Sequence, residues 1–171
     1  KAFYGAEDHE PLWIDDSGLT DKATALLKEL GNADDYGLDA KAYAIAGLND
    51  ALSTEEQRAT AEIKITNVVL LYARHAQGGR LSRQQAGSQL THTPVVSPAE
   101  DILGKLAEQD DPAFFLRSLQ PVHPQFAALR ARLKEARGGD GKQAGPKIPD
   151  GPVLRVGVAH AQVKLLRQRL G

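Results

Sequence analysis

The strongest constraint in this chain is the stretch from Ser53 to Gly79, which has the start, body and stop of one long helix. Ser53 and Glu56 stand three apart, the spacing of a capping box, in which each residue satisfies a free backbone N–H of the first turn. Ile63, Ile65, Val68, Val69, Leu71 and Tyr72 then follow with no interrupting proline or glycine before Gly78-Gly79. The spacing predicts a helix over roughly 54–76 that is apolar nearly all round. Such a helix is covered by its neighbours, so this one is expected to be the central element.

The rest of the pattern is also helical. Leu26, Leu27 and Leu30 form a stripe that stops at Gly31, expected as a C′ glycine. "GLDAKAYAIAGLNDAL" (37–52) places Asp39 as an N-cap, with Tyr43, Ile45, Leu48 and Leu52 as apolar positions. Ser97-Pro98-Ala99-Glu100 reads as cap, N1 proline and N3 acid before the stripe Ile102, Leu103, Leu106. Asp111-Pro112 opens a short helix carrying Phe114, Phe115 and Leu119, and Pro124 opens another with Phe126, Leu129 and Leu133, running to Gly138-Gly139. Strand alternation of useful length is missing, as is any fixed-period repeat. The expected fold is all-α: a compact multi-helix domain over 1–137, a linker over 138–152, and an incomplete second helical module over 153–171. The linker reading rests on five glycines and three prolines in "GGDGKQAGPKIPDGP".

Composition narrows the chemistry. Hydrophobic residues make up 42% and charged residues 25% of the 171, which suits one sizeable folded core. A formal net charge of −1 gives no basic field for nucleic acid, and 5% aromatics leaves few rings on which bases could stack. There is no cysteine, so thiol nucleophiles, disulfides and Cys-based metal sites cannot be built from this chain. Methionine is absent as well, and the chain is therefore expected to be a processed or partial product. "VVLLYA" (68–73), the longest apolar run, is far too short to span a bilayer, so the chain itself is expected to be soluble.

No catalytic, cofactor or metal site is expected. The histidines at 9, 75, 92, 123 and 160 are scattered, and none has the HExxH spacing. His123 lies between Pro121, which ends one helix, and Pro124, which fits the first turn of the next. That places His123 at a cap, where its ring can bond a free backbone group. The pairs Asp15-Asp16, Asp34-Asp35 and Asp110-Asp111 read as caps or solvated acids, and "DDYGLD" (34–39) lacks the order of a calcium loop. None of the six serines lies in G-x-S-x-G or S-x-x-K, and the glycines at 138–145 lack the G-K-[ST] ending of a P-loop. Arg130, Arg132, Lys134 and Arg137, with Arg167 and Arg169, give two helices basic faces. Solvation near helix C-termini accounts for these charges. Contact with an anionic polymer or partner is the alternative.

Five segments, in order along the chain, together resemble one family. "FYGAEDHEPLWI" (3–14) is similar to the opening F-Y-x-A-x-x-x-x-P-L-W of the YcbB-like murein L,D-transpeptidases, and "YGLDAKAY" (36–43) to their G-L-D/N-P-x-x-Y, with Ala40 where proline is common. "YARHAQGGRLS" (72–82) resembles Y-A-x-x-x-x-x-G-R-x-x-P, with Ser82-Arg83 in the proline region. "LQPVHPQFAALRARL" (119–133) resembles L-x-P-x-H-P-x-Y-x-x-L-R-x-x-L, Phe126 standing for Tyr. "IPDGPVLRVGVAHAQVKLLRQRLG" (148–171) resembles the lead into a peptidoglycan-binding-like module, where Leu154, Gly157, Val163, Leu166 and Leu170 fall on packing and turn positions.

The resemblance implies a periplasmic cell-wall protein whose cysteine nucleophile, in an S/T-H-G-C-type motif, lies beyond Gly171. The family makes 3→3 peptidoglycan crosslinks through a thioester acyl-enzyme. This chain is then expected to be a non-enzymatic scaffold, partnered with its own downstream catalytic domain and with peptidoglycan or cell-wall proteins. It is expected to take no cofactor and no nucleic acid, and the parent is expected to be membrane-anchored or secreted. The rival expectation is a free-standing helical adaptor that binds a protein through the basic faces at 124–137 and 160–169. A metal- or serine-dependent hydrolase is disfavoured by the missing motifs.

Overall fold

The computed structural model describes Tyr4 and residues 10–48, 52–81, 85, 87, 93–138, 149–151, 153, 155, 157 and 160–170. Residues 139–148, within the expected linker, and His9, His92, Ser82-Arg83 and Leu154 lie outside the described residues, as do the side chains of Arg169 and Leu170. The described residues are mostly helical, and their one sheet has two strands. In order they form β1 (Ile14–Asp15), β2 (Gly18–Leu19), α1 (Asp21–Gly31), 3-10 turns at Ala33–Tyr36 and Ala40–Tyr43, α2 (Glu55–Gly78), α3 (Ala99–Glu108), α4 (Pro112–Ser118), α5 (Pro124–Gly138) and α6 (Ala161–Leu170). None of these helices is long and apolar enough to cross a membrane. The chain divides into two units, Lys1–Arg130 and Ala131–Gly171.

The core lies in the first unit. β1 and β2 pair antiparallel, Ile14 with Leu19 and Asp15 with Gly18. The turn is set locally: Asp15 Oδ1 accepts from the Ser17 N–H and hydroxyl at 2.7 and 2.6 Å, and Gly18 takes φ +117°, which favours glycine. Those bonds hold the Asp15 carboxyl below its ordinary range. Thr20 then couples the hairpin to α1. Its hydroxyl donates to the Leu12 carbonyl at 3.2 Å and accepts from the Ala23 N–H at 3.1 Å, which makes it the N-cap. Leu26 and Leu30 of α1, with Ile65, Val69 and Tyr72 of α2 and Leu106 and Leu116 from α3 and α4, are essentially inaccessible. α1 packs on α4 and on the second 3-10 turn, while α2 is met by β1, α1 and α3.

Several sequence expectations are corrected. Gly31 is the last residue of α1 and not a left-handed cap; Asn32 ends the helix, its N–H donating to the Glu29 and Leu30 carbonyls. Asp39 does cap, accepting from the Lys41 N–H at 3.1 Å, but the element it opens is a single 3-10 turn and not a helix. Tyr43 is buried by that turn, and the chain then runs extended at Ala44 (φ −71°, ψ 132°) and turns at Gly47 (φ +74°).

At the start of α2 the box is formed one residue later than expected, by Thr54 and Gln57. Thr54 Oγ1 accepts the Gln57 N–H at 3.2 Å, and Gln57 Oε1 accepts from both Ser53 and Thr54 N–H groups at 2.9 and 3.0 Å. The single Gln57 oxygen thereby satisfies two free donors of the helix start at once. α2 is capped by Gly79, whose N–H donates to the His75 carbonyl at 2.9 Å and whose φ of +78° turns the chain out of the helix.

Nor is α2 buried all round. Its buried stripe is Ala61, Glu62, Ile65, Thr66, Val69, Tyr72, Ala73 and Ala76, and Ile63 is 57% exposed. Ser97 is not the cap of α3 either. Gln77 holds it across twenty positions, accepting the Ser97 N–H at 2.9 Å and donating to its hydroxyl at 3.0 Å, so α3 begins after Pro98 without a side-chain cap. In α4, Phe115 and Leu116 are buried while Phe114 faces solvent at 60% exposure. α5 buries none of its residues, Phe126, Leu129 and Leu133 included.

Candidate functional site

Two polar residues on the buried face of α2 organise the first unit. Glu62 and Thr66 lie four apart, one turn of helix, so their side chains point to the same place. The Glu62 carboxylate accepts three successive backbone N–H groups, those of Leu12, Trp13 and Ile14, at 2.7, 2.9 and 3.0 Å, and the Tyr4 hydroxyl at 2.7 Å. Thr66 Oγ1 accepts the Trp13 indole N–H at 2.9 Å and hydrogen-bonds the Tyr4 hydroxyl at 2.8 Å. Together they form a clasp that fixes the N-terminal segment across α2. Burial, reinforced by the Glu62 charge, pushes the Tyr4 phenol well above its ordinary range, so it stays protonated as a donor.

Four donors occupy the lone-pair positions of Glu62, and it has no ion pair among the described residues. A carboxylate saturated in this way is an anchor. It has no free oxygen with which to take a proton from a substrate.

Two further polar nodes tie helices together. Buried Glu29 of α1 accepts from Arg117 of α4 at 3.0 Å and from the Tyr36 hydroxyl at 3.3 Å, and Arg117 also reaches Asp111 at 3.6 Å. Arg130 lies 4.1 Å above the Tyr36 ring and donates to the Asp35 carbonyl at 3.0 Å. Tyr72 accepts from the Gln120 amide at 2.9 Å, and burial pushes its phenol up to about 12.

Beside Tyr72, Tyr43 packs edge-on at 5.3 Å and its hydroxyl meets His75 Nδ1 at 2.8 Å. Partial burial lowers the His75 pKa from 6.5, and the nearby Arg80 and Arg74 cations lower it further. The native state therefore binds this proton less readily than the unfolded chain. The His75 contribution leaves stability unchanged above pH 6.5 and lowers it as pH falls from 6.5 toward the native pKa. An NMR titration of the His75 ring is expected to show a midpoint below 6.5, with Tyr43→Phe moving it; a midpoint above 6.5 would contradict the assignment.

The other residues singled out in sequence have local roles. His123 Nδ1 accepts the Gln125 N–H at 3.2 Å and its carbonyl accepts from Phe126 at 2.9 Å, so it caps α5. His160 does the same for α6, accepting the Gln162 N–H at 3.3 Å. Asp111 caps α4 through the Phe114 N–H at 2.8 Å. Asp34 accepts from the Ala40 N–H at 3.2 Å. The basic face of α5 is partly engaged within the chain, Arg130 as above and Arg132 with Glu135 at 2.9 Å. Among the described residues no three His, Asp or Glu side chains converge on a metal position.

A groove of about 1230 Å³ lies over α2, between the N-terminal segment and α3. Ile14, Ala59, Ile63, Leu70 and Leu103 supply apolar surface, and the clasp residues Tyr4, Glu62 and Thr66 line it as well.

Sequence reasoning missed the clasp. The available signal was phase: Glu62 and Thr66 fall in step with Ile65, Val69 and Tyr72, where a solvated polar residue does not belong.

No curated protein and no solved structure matches the chain at a significant level. A family model described as the Scaffold domain matches residues 1–133, the stretch that contains the hairpin, the clasp and the helices through α4. The chain belongs to the Scaffold domain family.

Proposed function

We propose that this chain is the non-catalytic scaffold of a peptidoglycan L,D-transpeptidase. The observation that carries the reading is the Scaffold domain match over residues 1–133, a stretch that also contains four of the five segments resembling the N-terminal part of those enzymes. The chain has no cysteine, so the nucleophile of such an enzyme comes from another part of the protein. What this chain contributes is stiffness: a central helix of 24 residues, clasped to the N-terminal segment by hydrogen bonds that span about fifty positions of sequence. A frame of this kind holds a catalytic domain in place, in the periplasm, against a peptidoglycan substrate. The adaptor reading gains nothing specific, because Arg130 and Arg132 are engaged by the chain's own groups.

The test is crosslinking by the whole protein with and without residues 1–137. Deletion is expected to reduce 3→3 crosslinks from tetrapeptide donors by roughly tenfold or more through lost positioning. The present chain alone is expected to show no covalent mass shift with a carbapenem. A carbapenem adduct on this chain, or undiminished crosslinking after the deletion, would overturn the proposal.

A further inference from the structure

The groove over α2 has the dimensions and charge of a peptide-binding surface. Its floor runs along one face of α2 from Glu55 to Leu70, about 22 Å at 1.5 Å per residue, or four helical turns. At about 1230 Å³ it exceeds the roughly 300–1,000 Å³ of ordinary small-molecule sites. Ile63 stands in that floor 57% exposed, in a helix whose other large apolar residues are buried or half-buried. Leu103 and Ile14 form firm walls, each 4% exposed.

The rim is one-sided in charge. Among the described lining residues, Glu10, Asp15, Asp16, Glu55 and Glu100 stand against one cation, Arg58. Glu55 and Glu100 also stand in first turns of helices, where the macrodipole favours acids, and Asp15 sets the hairpin turn; Glu10 and Asp16 have no such local role. Among the described residues none of Glu10, Asp16, Glu55 and Glu100 forms an ion pair. An anionic ligand is repelled by this rim. A glycan would find one aromatic ring among the described lining residues, that of Tyr4, which is engaged by the clasp.

We propose that this groove seats a basic amphipathic helix of a partner protein, its apolar stripe on Ile63, Leu70 and Leu103 and its lysines or arginines on the acidic rim. This is the helix-in-groove mode, in which anchors at i, i+3, i+4 and i+7 read an apolar floor. The rim sets orientation and on-rate more than affinity. The inference rests on the groove alone and stands apart from the transpeptidase reading.

The probe is a fluorescein-labelled 16-residue helical peptide with Leu at i, i+3, i+4 and i+7 and Lys on the flanking positions, titrated with the full chain in 50 mM salt. Saturable anisotropy is expected, weakening with added salt. Ile63→Gln, at an exposed position, is expected to weaken binding by roughly tenfold while leaving the circular dichroism unchanged. The double reversal Asp16→Lys with Glu100→Lys is expected to turn the preference toward an analogue carrying Glu in place of Lys. Absence of saturable binding, equal binding of the Glu analogue by the unaltered chain, or indifference to both variants would overturn the proposal.

Discussion

Glu62→Ala is expected to lower the unfolding free energy by about 4 kcal/mol, read as a shift of the urea midpoint at constant slope. The size is set by the groups left without a partner. Three backbone N–H groups, of Leu12, Trp13 and Ile14, point at the two oxygens of this carboxylate from 2.7 to 3.0 Å, and Trp13 and Ile14 are buried. Each stranded donor costs roughly 1–3 kcal/mol, less where water can enter, as it can beside half-buried Leu12. A loss of that size is a large share of the 5–15 kcal/mol that holds a typical domain folded.

Glu62→Gln tests whether acceptor capacity is the cause. The amide retains one oxygen but turns N–H bonds toward other N–H groups, so an intermediate loss of about 2 kcal/mol is expected. A loss below about 1 kcal/mol for alanine would mean that the N-terminal segment is held by packing and that the clasp is incidental.

How much of this was legible in the sequence divides along the reach of each interaction. Local punctuation could be read. Asp111-Pro112 starts α4, and His123-Pro124 starts α5 with the ring of His123 on the Gln125 N–H. The stripe Ile102, Leu103, Leu106 is buried as the spacing implies. Competition between equivalent local signals could not be resolved. Ser53 and Thr54 each have a partner three residues on, and the box forms at Thr54, where Gln57 accepts from both the Ser53 and Thr54 N–H groups.

Long-range bonds left no local trace. Ser97 looks like a cap until Gln77 occupies it from α2. Asp39 does cap a turn, but the helix expected after it is replaced by the burial of Tyr43 against Tyr72 and His75. Glu62 reads as a surface residue of a long helix because its partners lie 48 to 58 positions away. Ile63, the residue that the apolar pattern places inside, is left facing the groove instead.

Trp13 is the other half of the clasp, and Trp13→Ala is expected to destabilise by about 4 kcal/mol. Its side chain is wholly inaccessible, and its indole N–H donates to Thr66 Oγ1 at 2.9 Å. Truncation therefore opens a cavity in the core and leaves Thr66 with the Tyr4 hydroxyl as its remaining side-chain partner. Trp13→Phe keeps much of the volume and removes the N–H, for an expected loss of about 2 kcal/mol. Trp13 is the one tryptophan in the chain, so in the unaltered protein and the Glu62 variants its emission reports on the clasp itself. Emission that moves red at lower urea than the far-ultraviolet signal, in Glu62→Ala but not in the unaltered protein, would show the N-terminal segment leaving α2 before the helices melt. The double variant Trp13→Ala with Glu62→Ala decides whether the two residues act as one device. Once the segment is detached by either change, the second has little left to break, so the combined loss is expected near 5 kcal/mol and not at the additive value of about 8. Additivity within about 0.5 kcal/mol would show that Trp13 fills the core independently of the carboxylate beside it.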